Sequence, residues 1–342
     1  MPAQTAYITA SLETIGSPQL WTITVAALAV LLAADFMLTR RPHHVRMGEA
    51  LGWSIFYLAL PLAFGAFVWQ AFGSATAVEF FTGYMVEKSL SVDNLFVFML
   101  LLSAFAVPDA LAQRVLLYGI VGALVLRAIF IALGAAALQS GTWAFLLFGA
   151  ILIVTAGKLV KDALAGQEQQ VDISAMRTIR LLRRFMPVTD DYRGPRLIVR
   201  ERGRRALTPL ALAIVAVFAT DIVFAVDSVP AVYGVTEDPF LVFATNAFAL
   251  LGLRALYFVL IGALTKLRHL NHGLAVILAF IGVKLVLHWA HGIWPQMPEI
   301  PTLASLGVIV AVLVAVTLTS VHANRRDRRR TAIVERQKAK GP

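Results

Sequence analysis

Two short stretches hold the residues with the most chemistry to offer. The first is Glu87-Lys88-Ser89-Leu90-Ser91-Val92-Asp93-Asn94, and the second is Asp221-Ile222-Val223-Phe224-Ala225-Val226-Asp227-Ser228. Each has an acid, then an Asp six residues later, then a small polar residue. Each is embedded in a long apolar run. A charged side chain at a bilayer midplane costs about 2.5–3.5 kcal/mol on insertion scales, so four acids in such runs point to a bound cation. Carboxylates crowded into a low-dielectric site cannot all ionise, and some retain protons. A divalent cation would displace those protons, and competition between metal and H⁺ for one site is the basis of antiport. The donors are carboxylate, amide, hydroxyl and carbonyl oxygens, with neither thiolate nor an obvious imidazole. Hard oxygen donors suit Mn²⁺, Mg²⁺ or Ca²⁺ over Cu(I) or Zn²⁺.

Helical geometry sorts these residues. Six residues advance an α-helix by about 240°, and seven by nearly two full turns. Glu87 therefore aligns with Asn94, and Asp221 with Ser228, while Asp93 and Asp227 lie on other faces. Either the helices unwind locally, or Asp93 and Asp227 face neighbouring helices while the other four face a cavity. Pro230 favours a helix break in the second stretch, because it has no N–H for the Val226 carbonyl. The candidate metal ligands are Glu87, Asp93, Asn94, Asp221, Asp227 and Ser228, with Asn246 and the Val226 carbonyl as further candidates. Lys88, Arg127, Arg254 and Lys284 lie in or near the same spans and are candidates for charge pairing or gating. Asp35 reads as interfacial. His288 and His291, at helical spacing beside Trp289 and Trp294, read as an interfacial polar edge.

The surrounding elements are membrane spans. Apolar residues make up 59% of the chain and charged ones 15%, and several apolar runs exceed the roughly 18 residues that indicate a span. Long runs without strict alternation indicate helices over barrel strands. The fold class is an all-α polytopic membrane protein with about nine transmembrane helices, near 19–39, 50–72, 77–105, 110–137, 143–164, 208–235, 240–264, 273–291 and 303–322. Ser17-Pro18, Thr208-Pro209 and Asp238-Pro239 each read as a cap followed by proline at the first helical position. The chain has no Cys, which removes disulfides, thiolate metal sites and Cys nucleophiles. Residues Met1 to Ser17 show no signal-peptide pattern. No metalloprotease, intramembrane aspartyl protease or phosphate-loop motif appears, so an enzyme is not expected, and no cofactor is implied beyond a transported metal.

Most of the net charge of +10 lies between spans or at the C-terminus. This places the N-terminus outside and the C-terminus in the cytoplasm, and a nucleic-acid partner is not needed to explain it. The divisions are an N-terminal tail with two peripheral spans (1–76), a three-helix unit (77–165), a basic cytoplasmic loop (166–206), a second three-helix unit (207–292), a final span (293–324) and a basic tail (325–342). In the loop, Arg177, Arg180, Arg183 and Arg184 fall on one side of a predicted helix near anionic lipid. The two units look like copies. Besides the acid stretches, Leu126-Arg127-Ala128 matches Leu253-Arg254-Ala255, and Gly157-Lys158-Leu159-Val160 matches Gly282-Val283-Lys284-Leu285-Val286 with one insertion. Units of three spans must lie in opposite orientations, as in secondary transporters whose site sits at the repeat interface.

At these residues the sequence resembles the TerC/Alx family of the LysE exporter superfamily, and most closely the Alx branch. Glu87-Lys88-Ser89-Leu90-Ser91-Val92-Asp93-Asn94-Leu95-Phe96-Val97 is similar to the first family signature. Phe224-Ala225-Val226-Asp227-Ser228-Val229-Pro230-Ala231, with Thr236-Glu237-Asp238-Pro239-Phe240, is similar to the second, which runs on through Asn246 to Phe258. The resemblance implies a multi-pass protein of the bacterial inner membrane that exports Mn²⁺, with Glu87, Asp93, Asn94, Asp221, Asp227 and Ser228 as transport residues. The rival readings are a transporter of Ca²⁺ or another cation, and a membrane scaffold or assembly factor whose acids form structural ion pairs.

Overall fold

The computed structural model describes residues 14–39, 47–164, 177–201, 204–253, 257 and 270–339. The apolar runs form helices α1 (Pro18–Thr39), α2 (Met47–Phe72), α3 (Ser74–Ala104), α4 (Asp109–Ser140) and α5 (Trp143–Leu164). A short helix, α6 (Arg177–Phe185), and an antiparallel pair, β1 (Ile198–Glu201) and β2 (Arg204–Leu207), follow. The chain returns to long helices with α7 (Pro209–Tyr233), α8 (Pro239–Leu251), α9 (Leu270–Ile293) and α10 (Thr302–Ala339).

Among the described residues, 7 helices are long and apolar enough to cross a membrane: α1, α2, α4, α5, α7, α9 and α10. Helix α3 has 31 residues but carries Glu79, Glu87, Lys88 and Asp93. Helix α8 is described over 13 residues, and most of the rest of that expected span, including Arg254, lies outside the described residues. The protein is thus a polytopic helical membrane protein, as its composition requires.

The cap-and-proline signals mark real starts. The Thr208 hydroxyl accepts from Ala211 N (3.4 Å), and Asp238 Oδ1 from Phe240 N (2.8 Å) and Leu241 N (3.4 Å). Each satisfies amides that have no partner within their own helix. Asp238 also accepts from Thr14 Oγ1 (2.6 Å) and Ile15 N (2.8 Å), which pins the segment ahead of α1.

One expectation is corrected. Pro230 does not break α7, which runs unbroken from Pro209 to Tyr233. Proline removes one hydrogen bond, but here it lies three residues from the helix end, and Ala231, Val232 and Tyr233 around it are buried. The helix of the last span continues through the basic tail as far as Ala339. Asp35, near the end of α1, is buried.

Packing is in three clusters. One joins α6 and the N-terminal halves of α4 and α7 to the C-terminal half of α3. A second joins α5 and α9 to the C-terminal halves of α4 and α7. A third gathers α1, α2 and α8 on the N-terminal half of α3. Helices α5 and α9 pair most extensively, α4 lies along α7, and α3 lies along α8. At the α5–α9 crossing, a Cβ on Gly149 would sit 2.8 Å from the Gly282 carbonyl oxygen, whereas a Cβ on Gly157 would meet nothing within 4 Å. We therefore expect Gly149→Ala to lower stability by about 1–3 kcal/mol, since backbone cannot yield as a side chain does. Gly157→Ala is expected to be neutral or mildly stabilising. Thermal unfolding of the two variants in detergent tests the contrast.

Candidate functional site

The polar residues of the spans lie in one layer between the first two apolar clusters. On α7, residues 210–217 belong to one cluster and 229–235 to the other, with Asp221 and Ser228 between them. On α4 the clusters claim 111–123 and 131–138, with Arg127 between them. On α8 Asn246 falls between Val242 and Leu250 in the same way.

Arg127 occupies the centre. Its Nη1 donates to Glu87 Oε1 on α3 and to Asn246 Oδ1 on α8. The Asn94 amide, with its nitrogen toward the Leu90 carbonyl (3.1 Å), presents its oxygen to Arg127 Nη2 at 3.2 Å. The Asn246 nitrogen donates to the Val242 carbonyl (2.9 Å). Glu87 and Arg127 are 0% and 1% exposed, so this ion pair is entirely removed from solvent. One positive side chain thus gathers three of the candidate ligands.

Asp221 is within electrostatic reach of Arg127 and Glu87, yet among the described residues neither of its carboxylate oxygens has a hydrogen-bond partner. Glu87 Oε2 and the hydroxyls of Ser91 and Ser228 are likewise buried and unpartnered. A buried polar group without a partner costs about 1–3 kcal/mol. Five such oxygens on two adjacent helices form a set of donors suited to a hard cation. Glu87, Ser91 and Asn94 share one face of α3 at spacings of four and three, which adds Ser91 to the candidates.

The other predicted residues are distributed differently. Asp227 turns to α5, where Thr155 Oγ1 donates to its Oδ1 at 2.8 Å and Lys158 lies nearby. Helical geometry had allowed this outcome, with Asp227 facing a neighbour while Asp221 and Ser228 share another face. Sequence reading did not single out Thr155, whose hydroxyl among apolar residues was the available signal. The Val226 side chain is 38% exposed, and its carbonyl lacks the N–H that Pro230 does not have. The Asp93 side chain and residue Arg254 lie outside the described residues. Lys88 donates to a carbonyl, Ala249 O at 3.3 Å, where an acid was expected. Among the described residues no three His, Asp or Glu side chains lie close enough together to hold a metal ion. Arg127 takes one Glu87 oxygen, and Asp227 faces another helix.

Lys284 belongs to a separate feature. A cavity of about 1110 Å³ opens where α7 passes to α8 and α9 to α10, lined in part by Glu79, Glu237, Asp238, Lys284, His288 and Glu299. His288 bridges the two connections, with Nδ1 3.1 Å from Glu299 and Nε2 3.6 Å from Glu237. Thr236 donates to Glu79 at 2.7 Å. His291 Nδ1 lies 2.6 Å from the Met297 carbonyl oxygen. Both His thus contact the connection between α9 and α10. Glu79, two turns ahead of Glu87 on α3, was missed by sequence reading.

A profile of the integral membrane protein TerC family matches residues 72–328, which span every helix of this layer. The chain belongs to the TerC family. Among its relatives is a membrane protein of Myxococcus xanthus, 41% identical over 314 residues, covering 92% of this chain and 96% of the relative. An Escherichia coli (strain K12) protein named as a membrane-bound redox modulator, Alx, is 40% identical over 330 residues, covering 93% of this chain and 99% of its own. A membrane protein of Mycobacterium tuberculosis is 42% identical over 310 residues, covering 88% of this chain and 78% of its own. No solved structure matches. This TerC-family chain has no Cys, so it has no thiol of its own for disulfide exchange.

Proposed function

We propose that this protein is a secondary transporter that exports a divalent metal, Mn²⁺, in exchange for protons. The observation that carries this reading is the set of buried, unpartnered oxygens on Asp221, Ser228, Glu87 and Ser91, in a layer between apolar clusters. An incoming hard cation would meet Asp221 and Ser228 first. It would then compete with Arg127 for Glu87, Asn94 and Asn246, so Arg127 acts as a tethered substitute for the cargo. Asp227 completes the candidate ligand set by turning from Thr155, together with Asp93. A carboxylate pair in this medium holds a proton or a metal, not two bare charges, and that exchange couples the two fluxes.

The packing pattern supports nine spans with two inverted repeats, α3–α5 and α7–α9, with the α8 segment in the seventh span. Exchanging α3 with α7, α4 with α8 and α5 with α9 turns the α3–α8 contact into the α7–α4 contact, and the α5–α7 contact into the α9–α3 contact. All four of these contacts are present. With the basic segments inside, the N-terminus is outside, the C-terminus is cytoplasmic and the acidic cavity faces out across the inner membrane.

The test is cellular manganese under manganese stress in cells expressing the parent chain, Glu87→Gln, Asp93→Asn or Asp227→Asn at matched levels. The parent is expected to hold manganese low and the three variants to let it rise toward the vector control. Equal manganese in all of them removes the reading. One observation favours a second reading. The buried Glu87–Arg127 pair is also what a scaffold with structural ion pairs would contain.

A further inference from the structure

We propose that α6 and the β1–β2 hairpin form a docking face for anionic phospholipid at the membrane surface. Helix α6 has two unlike sides. Ile179, Leu182 and Met186 pack inward against the cluster shared by α3, α4 and α7. On the outward side Leu181 and Phe185, one turn apart, are 57% and 75% exposed. Arg180 and Arg184, each one position earlier, form an exposed basic row alongside. An apolar ridge flanked by arginines is the pattern of a helix that lies in a headgroup layer.

The hairpin provides a second, independent observation. Its register sets Arg200 directly opposite Arg205, and both are exposed. Like charges at opposed positions destabilise a two-stranded pair, and an anion between them offsets the repulsion. Ile198, two residues from Arg200 on the same face, is also exposed.

The module sits where headgroups would be. Tyr192 Oη donates to the Phe105 carbonyl, just past α3, at 2.7 Å. Burial raises this phenol above its ordinary range, which keeps it a donor. Thr208, between β2 and α7, donates to the Arg196 carbonyl at 2.7 Å. Both clamps hold the basic face level with the ends of α3 and α7. A nucleic acid or acidic protein would use the arginines but leaves Phe185 and Leu181 unexplained. An anionic lipid surface uses both, since the apolar pair enters the acyl boundary and the arginines engage phosphate.

The choice of the cytoplasmic leaflet rests on the orientation proposed above. The test involves no transport, so either reading can fail alone. Because the chain has no Cys, Phe185→Cys in the full-length protein takes a single environment-sensitive fluorophore at an exposed position. The labelled protein is placed in nanodiscs of phosphatidylcholine or of phosphatidylglycerol. In phosphatidylglycerol the label is expected to shift to the blue and to be quenched by spin-labelled lipid, with both effects reduced in high salt. Each arginine at an anionic surface contributes about fivefold in partitioning. Arg200→Glu with Arg205→Glu should therefore abolish the difference between the two lipids. A label that stays in water in both lipids overturns the proposal, as does a shift of equal size in both or in detergent alone. A shift produced in phosphatidylcholine only by added RNA or acidic protein overturns it in favour of that partner.

Discussion

Replacing Arg127 alone should produce one of the two largest losses of stability available in this protein, and replacing it together with Glu87 should restore most of it. Arg127→Met leaves Glu87 at 0% exposure with no cation beside it, and leaves Asn246 and Asn94 without their donor. Breaking a fully buried pair from one side costs about 3–5 kcal/mol, whereas replacing both partners by neutral groups of similar size is often neutral or stabilising. Glu87→Gln with Arg127→Met should therefore return to within about 1 kcal/mol of the parent. Thermal unfolding of the purified single and double variants measures this. The same double variant separates the two functional readings. A scaffold that needs only a packed bundle regains function along with stability. A transporter that needs the Glu87 oxygens regains stability and still fails to lower cellular manganese.

Asp221 should behave in the opposite sense. Both of its carboxylate oxygens are buried without a partner, and the residue is 1% exposed. Among the described residues the attraction of Arg127 opposes its desolvation, with no hydrogen bond to add to it. Asp221→Leu removes the unpartnered acid and fills its volume with carbon. The variant is expected to be more stable by about 1–3 kcal/mol while losing manganese export entirely. Retaining an acid at a cost in stability is what a binding or exchange role requires. An unfolding midpoint that falls below the parent, or export that survives, would show that Asp221 supports the structure and not the cargo. Asp227→Leu is the contrasting case. It breaks the 2.8 Å bond from Thr155, so it should lose both stability and transport.

Much of this was legible in the amino-acid order because it depends on local geometry. The doubled acid stretches, the seven-residue alignment of Glu87 with Asn94 and of Asp221 with Ser228, the prolines that open α7 and α8, and the basic helix at Arg177–Phe185 all follow from helical period and capping chemistry. The error at Pro230 has the same origin in reverse. A local rule predicts a break wherever a helical N–H is missing, but burial on both sides of that residue holds the turn in place. The vestibule was hidden for another reason. Glu79, Thr236, Glu237, Lys284, His288 and Glu299 are scattered along the chain and meet only because the connections after α7 and α9 end on the same side.

By itself, then, the sequence determined that this is a multi-pass helical protein, that its family is TerC, and which oxygen-bearing side chains interrupt the long apolar runs. Those properties are set by hydropathy, periodicity and short motifs, each read within a few turns of one helix. Only the tertiary structure decided which charge each oxygen faces. It gave Glu87, Asn94 and Asn246 to Arg127, turned Asp227 to Thr155, and left Asp221 near Arg127 without a hydrogen bond among the described residues. Those choices depend on how five separate helices, α3, α4, α5, α7 and α8, rotate about their axes as they pack, because a buried charge takes whichever partner the opposing helix happens to present.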